Sequence, residues 1–307
     1  MWKYVGKRLC SSMVTIFVLV TITFFLIRCM PGNPFQTENL SPQVLQAMEK
    51  EYGLDQPIFS QYLVYLRNFL QGDLGISYRK QGVSVTEVIG RALPITLLLG
   101  GLSLAVALIF GILLGILQAV SGKKRVHGIC TILEGIGTGI PNFVMALLLL
   151  LLFGVQWHLF PTVGITSVRH LVLPVISLSI YPMMNIARYT YGEVRTQLQQ
   201  EYVTFARMKR FPTSYLIYHH VLRNCIPKIL HFIGPMAAFL LTGSFVVESI
   251  YTIPGLGREF VNAIGNRDYT MIMGLTVFMG SVVILVQFVL DMICVVIDPR
   301  VRASLGE

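Results

Sequence analysis

Long apolar runs alternate with shorter polar connections along the chain, and the runs have the length of a bilayer crossing. Six stretches, near residues 9–29, 94–120, 129–155, 171–191, 227–248 and 271–297, carry few charges. They approach or exceed the roughly 20 residues that an α-helix needs to span hydrocarbon. The pattern predicts an all-α integral membrane protein with six transmembrane helices. The second stretch is rich in small residues: Gly100, Gly101, Ser103, Ala105, Ala107, Gly111 and Gly115. Burial from water supplies no force between helices in lipid, so such residues mark faces where two backbones approach closely. Pro141, Pro174, Pro182 and Pro235 are expected to kink the later spans.

The segment from Pro31 to Arg91, between the first two stretches, has nearly balanced charge and helices of its own. Ser41 is placed to cap one of them, with Pro42 at its first position, Val44, Met48 and Tyr52 on one face, and Gly53 at its end. A second places Phe59, Tyr62, Leu63, Leu66, Phe69 and Leu70 on one side and stops at Gly72. This segment is read as a small cap on the helix ends, with a surface on which an external partner can dock. Three parts result: residues 1–92 as an anchor helix plus external segment, 93–297 as the transmembrane core, and 298–307 as a tail.

Composition agrees. Of 307 residues 54% are hydrophobic and 13% charged, with mean hydropathy +0.68, too little polar surface to cover a soluble core of this size. The formal net charge of +9 could suggest nucleic acid, but its distribution excludes that reading. Lys3, Lys7 and Arg8 precede the first run, Lys123, Lys124 and Arg125 follow the second, and Arg195, Arg207, Lys209, Arg210 and Arg223 lie between the fourth and fifth. Only alternate connections are strongly basic, so the positive-inside rule puts both termini in the cytoplasm of a multi-pass membrane protein surrounded by lipid. The run Leu9 to Ile27 exceeds a signal-peptide core and is followed by Arg28, Met30 and Pro31 rather than a small-x-small site, which reads as an uncleaved anchor. Cys10, Cys29, Cys130, Cys225 and Cys294 are scattered, with neither metal spacing nor a disulfide framework.

The basic connection from about Gly192 to Cys225 is too long for a simple turn. A first short helix is expected from Glu201 to near Arg210, then a break at Pro212 and a restart with Thr213 as N-cap. Tyr202, Phe205 and Ala206 share a face by their spacing, and Arg207, Lys209 and Arg210 gather at the end where the helix dipole favours cations. A small apolar knob with a basic rim suits insertion into a partner's cleft.

This segment resembles the coupling loop of ATP-binding-cassette (ABC) importer permeases, whose pattern is Glu-Ala-Ala, three residues, Gly. Thr204-Phe205-Ala206 takes the place of the triplet, and Arg210 stands where glycine is usual. Without that glycine, Pro212 is expected to shape the reversal. The loop is more similar to the peptide-permease form Tyr-x-x-Thr-Ala-Arg-x-Lys-Gly, with which Tyr202, Ala206, Arg207 and Lys209 agree. Other fragments resemble oligopeptide permeases: Thr23-Phe-Phe-Leu26 with Pro31-Gly-Asn-Pro-Phe35, Tyr52-Gly-Leu-Asp-Gln-Pro57 and Gly72-Asp-Leu-Gly75. Leu241 to Glu248, Ile253-Pro-Gly-Leu-Gly257, Arg267-Asp-Tyr269 and Ile297-Asp-Pro-Arg300 do so as well. In the external turn, Pro254 and Gly255, just before Gly257, suit the central positions of a type II turn.

The resemblance implies a type I ABC importer fold in a bacterial inner membrane. It also implies a second homologous permease subunit, two cytoplasmic ATPases and an extracytoplasmic peptide-binding protein. No cofactor is expected in this chain; ATP and Mg belong to the ATPases, whose closure the coupling helix passes to the spans. Oligopeptides are the expected cargo, with dipeptides, nickel or another solute as alternatives in the same family.

Two other classes compete. The sequence lacks HExxH, Gly-x-Ser-x-Gly and the phosphate-binding Gly-x4-Gly-Lys-Ser/Thr, and His127, His158, His170, His219, His220 and His231 are dispersed, which argues against an enzyme. An ion-coupled secondary transporter would carry ionisable groups in its spans. Glu134 and Asp291, with Gln287 one turn before the latter, are the candidates. Neither has a basic partner close in sequence, and both lie toward the cytoplasmic ends, so polar packing is the simpler reading and a gate or ion site the alternative. No peptide-contacting residue is legible.

Overall fold

A computed structural model describes residues 2–29, 43, 46, 50, 53–80 and 82–297, and among them the protein is helical apart from one isolated bridge between Ile76 and Ser84. The helices are α1 (Trp2–Arg28), α2 (Ile58–Leu70), α3 (Val85–Val120), α4 (Lys124–Gly139), α5 (Asn142–Leu149), α6 (Arg169–Leu198) and α7 (Glu201–Met208). After these, α8 starts at Thr213–Tyr215, passes through a wide π-turn (Leu216–Val221) and continues as Leu222–Thr242. The chain closes with α9 (Phe245–Ile250), α10 (Leu256–Gly265) and α11 (Tyr269–Ile297). Five helical segments among the described residues are long and apolar enough to cross a membrane, and the bent pair α4–α5 makes a sixth.

The closest pairing joins α3 to α6, along the small-residue face. Ser103, Ala107, Gly111 and Gly115 are buried there at intervals of four, the spacing of one helix face, while the buried Gly100 meets the Leu240 backbone of α8 instead. A Cβ on Gly111 would come within 2.7 Å of the Met183 carbonyl oxygen, and one on Gly115 within 2.7 Å of the Thr190 Cβ. The Ser179 hydroxyl of α6 donates to the Ser103 carbonyl at 3.1 Å across the seam. Gly101 meets nothing within 4 Å, and Ala105 is exposed, so these two small residues do not belong to it.

Two spans differ from the simple expectation. Residues 129–155 do not form one rod, because α4 and α5 meet at 101°. Proline disfavours the helical conformation of the residue before it, and Ile140 is extended (φ −90°, ψ 122°) ahead of Pro141. The fifth span, expected over 227–248, lies within a membrane-length segment from Thr213 to Ile250 that is broken once. Gly243 adopts φ 94°, outside the helical region, and α9 starts afresh with the Ser244 hydroxyl accepting from Val247 N–H at 3.4 Å. Pro174 and Pro182 lie within α6, and Pro227 and Pro235 within α8, neither of which is interrupted there.

The external helix expected around Ser41, Pro42, Val44, Met48 and Tyr52 lies outside the described residues, as does the 298–307 tail. The second external helix is α2, but its buried edge is narrower than the sequence reading. Tyr62 and Tyr65 pack against Phe24 of α1 with ring centroids 5.4 and 5.8 Å apart, and the Tyr62 hydroxyl shares a 2.8 Å hydrogen bond with Thr21. Phe59, Leu63 and Leu70 stay exposed, because one helix end offers cover for only one stripe. A hairpin after α2 is tied to the start of α11 by Asp268, which accepts from Ser77 Oγ and from the N–H groups of Tyr78 and Met271 at 3.2 Å each. Asp268 thereby also caps α11.

The seam makes a prediction. Gly115→Leu should lower the stability of the purified protein in detergent by about 3 kcal/mol or more, because no side chain on a flexible stem can move aside to make room. Gly101→Leu, pointing into open space, should leave the thermal unfolding midpoint near wild type. Equal midpoints for the two variants would show that the close approach is not needed.

Candidate functional site

Both chain ends leave the bundle on one face. Arg8, near the start of α1, and Asp291, near the end of α11, are joined there: Arg8 Nε donates to Asp291 Oδ2 at 2.6 Å, and a second guanidinium nitrogen contacts the same oxygen. Gln287 Nε2 donates to Oδ1 at 3.2 Å. The acid that lacks a basic neighbour in sequence therefore has one in space, 283 positions away. With Arg8 and Gln287 in place the carboxylate is satisfied, as a buried ion must be, and the cluster clasps α1 to α11. Glu134 differs. It is buried on α4 with Oε1 unpartnered, and Arg188 acts on it electrostatically.

The same face carries α7. Its first turn begins with Glu201, where an acid complements the helix dipole. Val203 and Ala206 are buried in a cluster with Val194 of α6 and with Leu216, Val221 and Cys225 of α8. Tyr202 is half-buried, its hydroxyl donating to Gln197 Oε1 at 2.7 Å. This corrects the face expected from the spacing. Ala206 points into its own bundle, while Phe205 (59% exposed) and Met208 (70% exposed) point away from it. The reason is Val203: a β-branched apolar residue three positions before Ala206 defines the packed stripe and turns Phe205 outward. Lys209 Nζ sits 5.0 Å from the Phe205 ring centroid, and Thr204, Arg207 and Arg210 are exposed around it. A groove of about 700 Å³ runs beside the knob, between Phe205, Met208 and Phe211.

The turn after α7 is a second correction. Arg210 itself takes φ 59°, the left-handed position that glycine adopts without strain, and its N–H donates to the Arg207 carbonyl at 2.9 Å. The reversal is therefore made at Arg210, and Pro212 follows as the residue that starts α8, with Thr213 already helical rather than the N-cap. The sequence reading missed the aromatic shelf beyond it. Tyr215 and His219 stack at 4.3 Å, Phe211 lies 5.1 Å from Tyr215, and Tyr218 is exposed. His219 is at the surface, whereas His220 is half-buried with Nε2 unpartnered. Unexpected too is an ion pair between Lys228 of α8 and Glu193 of α6, at 2.7 Å.

On the opposite face, the turn containing Pro254, Gly255 and Gly257 is not type II. Gly255 has φ −100°, and its N–H donates to the Ile253 carbonyl at 2.8 Å, a tight turn centred on Pro254. The left-handed residue is Thr252 (φ 55°), which closes α9 with hydrogen bonds from Thr252 N–H to the Ser249 carbonyl and from Ile253 N–H to the Glu248 carbonyl. The glycines serve the fully buried Glu248 instead. Its Oε2 accepts from Gly257 and Arg258 N–H at 2.8 and 3.2 Å, and its Oε1 from the Thr96 hydroxyl at 3.2 Å. Thr96 accepts in turn from Leu256 N–H at 2.8 Å. A Cβ on Gly243 would lie 2.6 Å from Oε1, and one on Gly255 2.6 Å from the Thr96 hydroxyl. A carboxylate at the start of α10 meets unpaired N–H groups and the favourable end of the dipole.

Residues 111–303 match a family described as the binding-protein-dependent transport system inner membrane component, and residues 1–100 match the N-terminal region of the corresponding membrane component. The chain is 37% identical to the dipeptide transport system permease protein DppB of Bacillus subtilis (strain 168), covering 98% of each chain. It is 35% identical to DppB of Lactococcus lactis subsp. cremoris (strain MG1363) and 34% identical to the oligopeptide transport system permease protein OppB of Escherichia coli (strain K12), each over 98% of this chain and 100% of the relative. Among solved structures it resembles an inward-facing conformation of the MetNI methionine ABC transporter, with TM-score 0.57 and 17% identity, over 69% of this chain and 96% of that one. With helices long enough to cross a membrane, that shared fold and matches over nearly all of its length, the chain belongs to the family of binding-protein-dependent transport system inner membrane components.

Proposed function

We propose that this chain is one permease half of an ATP-driven peptide importer, and that α7 is the handle through which separate ATPases move it. The observation that carries the reading is the division of α7 into two sides. Val203 and Ala206 fasten it to α6 and α8, while Phe205, Met208 and Lys209 are presented outward. A rigidly footed knob with a basic rim suits a partner's cleft. The relatives named above support peptides as cargo, and the oligopeptide-like fragments favour longer ones, with dipeptides as the second reading because relatives of both kinds match the chain over nearly its whole length.

In this proposal the face bearing both termini and α7 is cytoplasmic, in line with its basic connections. A second permease subunit completes the path, two ATPases bind ATP and Mg, and an external binding protein delivers cargo near α2, α9 and α10. The permease performs no bond chemistry. ATP and cargo bind the two conformations of the bundle with different affinity, and that difference sets the direction of transport.

In proteoliposomes containing the assembled transporter, peptide uptake should persist when the proton gradient is collapsed and stop when ATP is removed. The reverse result would make the protein a secondary carrier. Phe205→Asp should cut peptide-stimulated ATP hydrolysis at least about tenfold, as loss of an interface anchor does, while leaving the isolated subunit's thermal midpoint unchanged. Ala206→Asp should instead lower that midpoint, since it buries an unpaired carboxylate at a cost of several kcal/mol, on the order of 3. Coupled transport at wild-type rates by Phe205→Asp would remove α7 from the mechanism.

A further inference from the structure

Ionisable and amide side chains inside a membrane span are costly against lipid, so they sort toward the bundle interior or toward water. The outward residues of α1, α3 and α11 obey this along their middles: Phe17, Ile22, Phe110, Leu113, Leu285 and Val289 are all exposed and apolar. One strip of the bundle does not. Tyr181, Asn185, Arg188, Gly192 and Thr196 recur at three- and four-residue intervals on α6, and Lys228, Phe232, Met236 and Phe239 do the same on α8.

Two grooves lie on this strip. An apolar one of about 470 Å³ is bounded by Tyr181, Met236 and Phe239. A more polar one of about 530 Å³ is bounded by Asn185, Arg188, Glu193 and Thr196. Tyr189 and Phe232 stack in parallel at 4.1 Å, and both line the polar groove. Lys228 is engaged by Glu193 at 2.7 Å. Arg188 is exposed and makes no ion pair or hydrogen bond among the described residues. It lies ten residues before the end of α6, roughly 15 Å at the helical rise. An exposed guanidinium on a helix long and apolar enough to cross a membrane needs either water or an anionic partner.

We propose that Arg188 is a cargo contact, taking the C-terminal carboxylate of a peptide as it passes along the α6–α8 strip. The assignment rests on the peptide-import reading above and adds the group that recognises the cargo. Guanidinium is planar, permanently charged and forked, and pairs with carboxylate through two parallel hydrogen bonds. A free C-terminus is carried by peptides of any sequence, so one fixed arginine serves cargo of varied composition. The apolar groove and the Tyr189–Phe232 pair give side chains a surface without hydrogen-bond demands. A bare metal cation would be repelled at the same place. Glu134 of α4, buried and acting electrostatically on Arg188, and Glu193 beside it keep the field moderate. A path must bind its cargo strongly enough to admit it and weakly enough to release it.

The test uses the whole transporter in proteoliposomes and compares uptake of one peptide as free acid and as C-terminal amide, each rate divided by that peptide's occupancy on the binding protein. The binding protein is identical throughout, so a change in the acid-to-amide ratio between permease variants arises in the membrane. Arg188→Gln should lower that ratio about tenfold, the loss of one charge-assisted pair, and Arg188→Lys should restore part of it. A ratio unchanged by Arg188→Gln overturns the assignment, whether both rates hold or both fall together as they would for a residue that only pairs with the second permease. A wild-type transporter that hydrolyses ATP with loaded binding protein yet accumulates neither peptide overturns the peptide reading itself, and Arg188 with it.

Discussion

Everything in this bundle leans on the contact between α3 and α6. Lipid tails are as apolar as the side chains they touch, so helices associate there through packing and internal hydrogen bonds rather than by escaping water. At Gly111 and Gly115 the side chain is reduced to nothing, and the backbone of α3 reaches the carbonyls of Met183 and Ala187. Ala107 and Ile186, both fully buried, fill the space between. Interiors packed to this density transmit displacement rather than absorb it. Val203 and Ala206 of α7 share a cluster with Ala107 and Ile186 of the seam, so in the proposed mechanism a push on the exposed Phe205 would reach the helix pair through packed side chains.

The opposite face is secured by different physics. Glu248 would be a costly charge if unpaired, yet it accepts from two backbone N–H groups at the start of α10 and from Thr96 of α3. The Thr96 hydroxyl completes the set by accepting from Leu256 N–H. Glycines at 243 and 255 are cleared for this carboxylate and its partner hydroxyl, which accounts for Gly255, whose φ of −100° does not itself call for glycine. One face is thus fastened by apolar burial and the Arg8–Asp291 clasp, the other by a hydrogen-bonded latch. The backbone break at Gly243 lies beside this latch, and the one at Ile140–Pro141 separates α4 from α5.

Element type and approximate extent were legible in the sequence because span length and apolar content are properties of a single segment. What escaped depends on residues far apart. Pro141 announced a kink, but the 101° turn is set by what α4 and α5 pack against, α6 on both sides. Tyr202, Phe205 and Ala206 do share a face by periodicity. Which edge of α7 is buried is decided by Leu216, Val221 and Cys225, which lie beyond the break at Pro212. Asp291 looked isolated because Arg8 is at the other end of the chain. Pro254-Gly255 suggested a type II turn, whereas the demands of Glu248 put the left-handed residue at Thr252. Arg210 at φ 59° shows that a position favouring glycine can be held by an exposed arginine when the preceding helix supplies the cap.

The sides of α6 carry opposite duties, and this division explains its composition. The side toward α3 holds Ile186, Ala187 and Thr190, small or branched and wholly buried, where any added atom would collide with the seam. The other side holds Asn185, Arg188 and Glu193, which line the polar groove. At its end the same helix passes into α7. A helix sealed along one edge cannot bend toward the seam, so a rotation imposed at α7, as proposed above, would have one outlet, a shift of the polar edge relative to whatever faces it. On the reading proposed above, coupling at α7 and cargo contact at Arg188 would lie on consecutive helices, α7 following the roughly 45 Å rod of α6 after the extended Gln200 (ψ 150°).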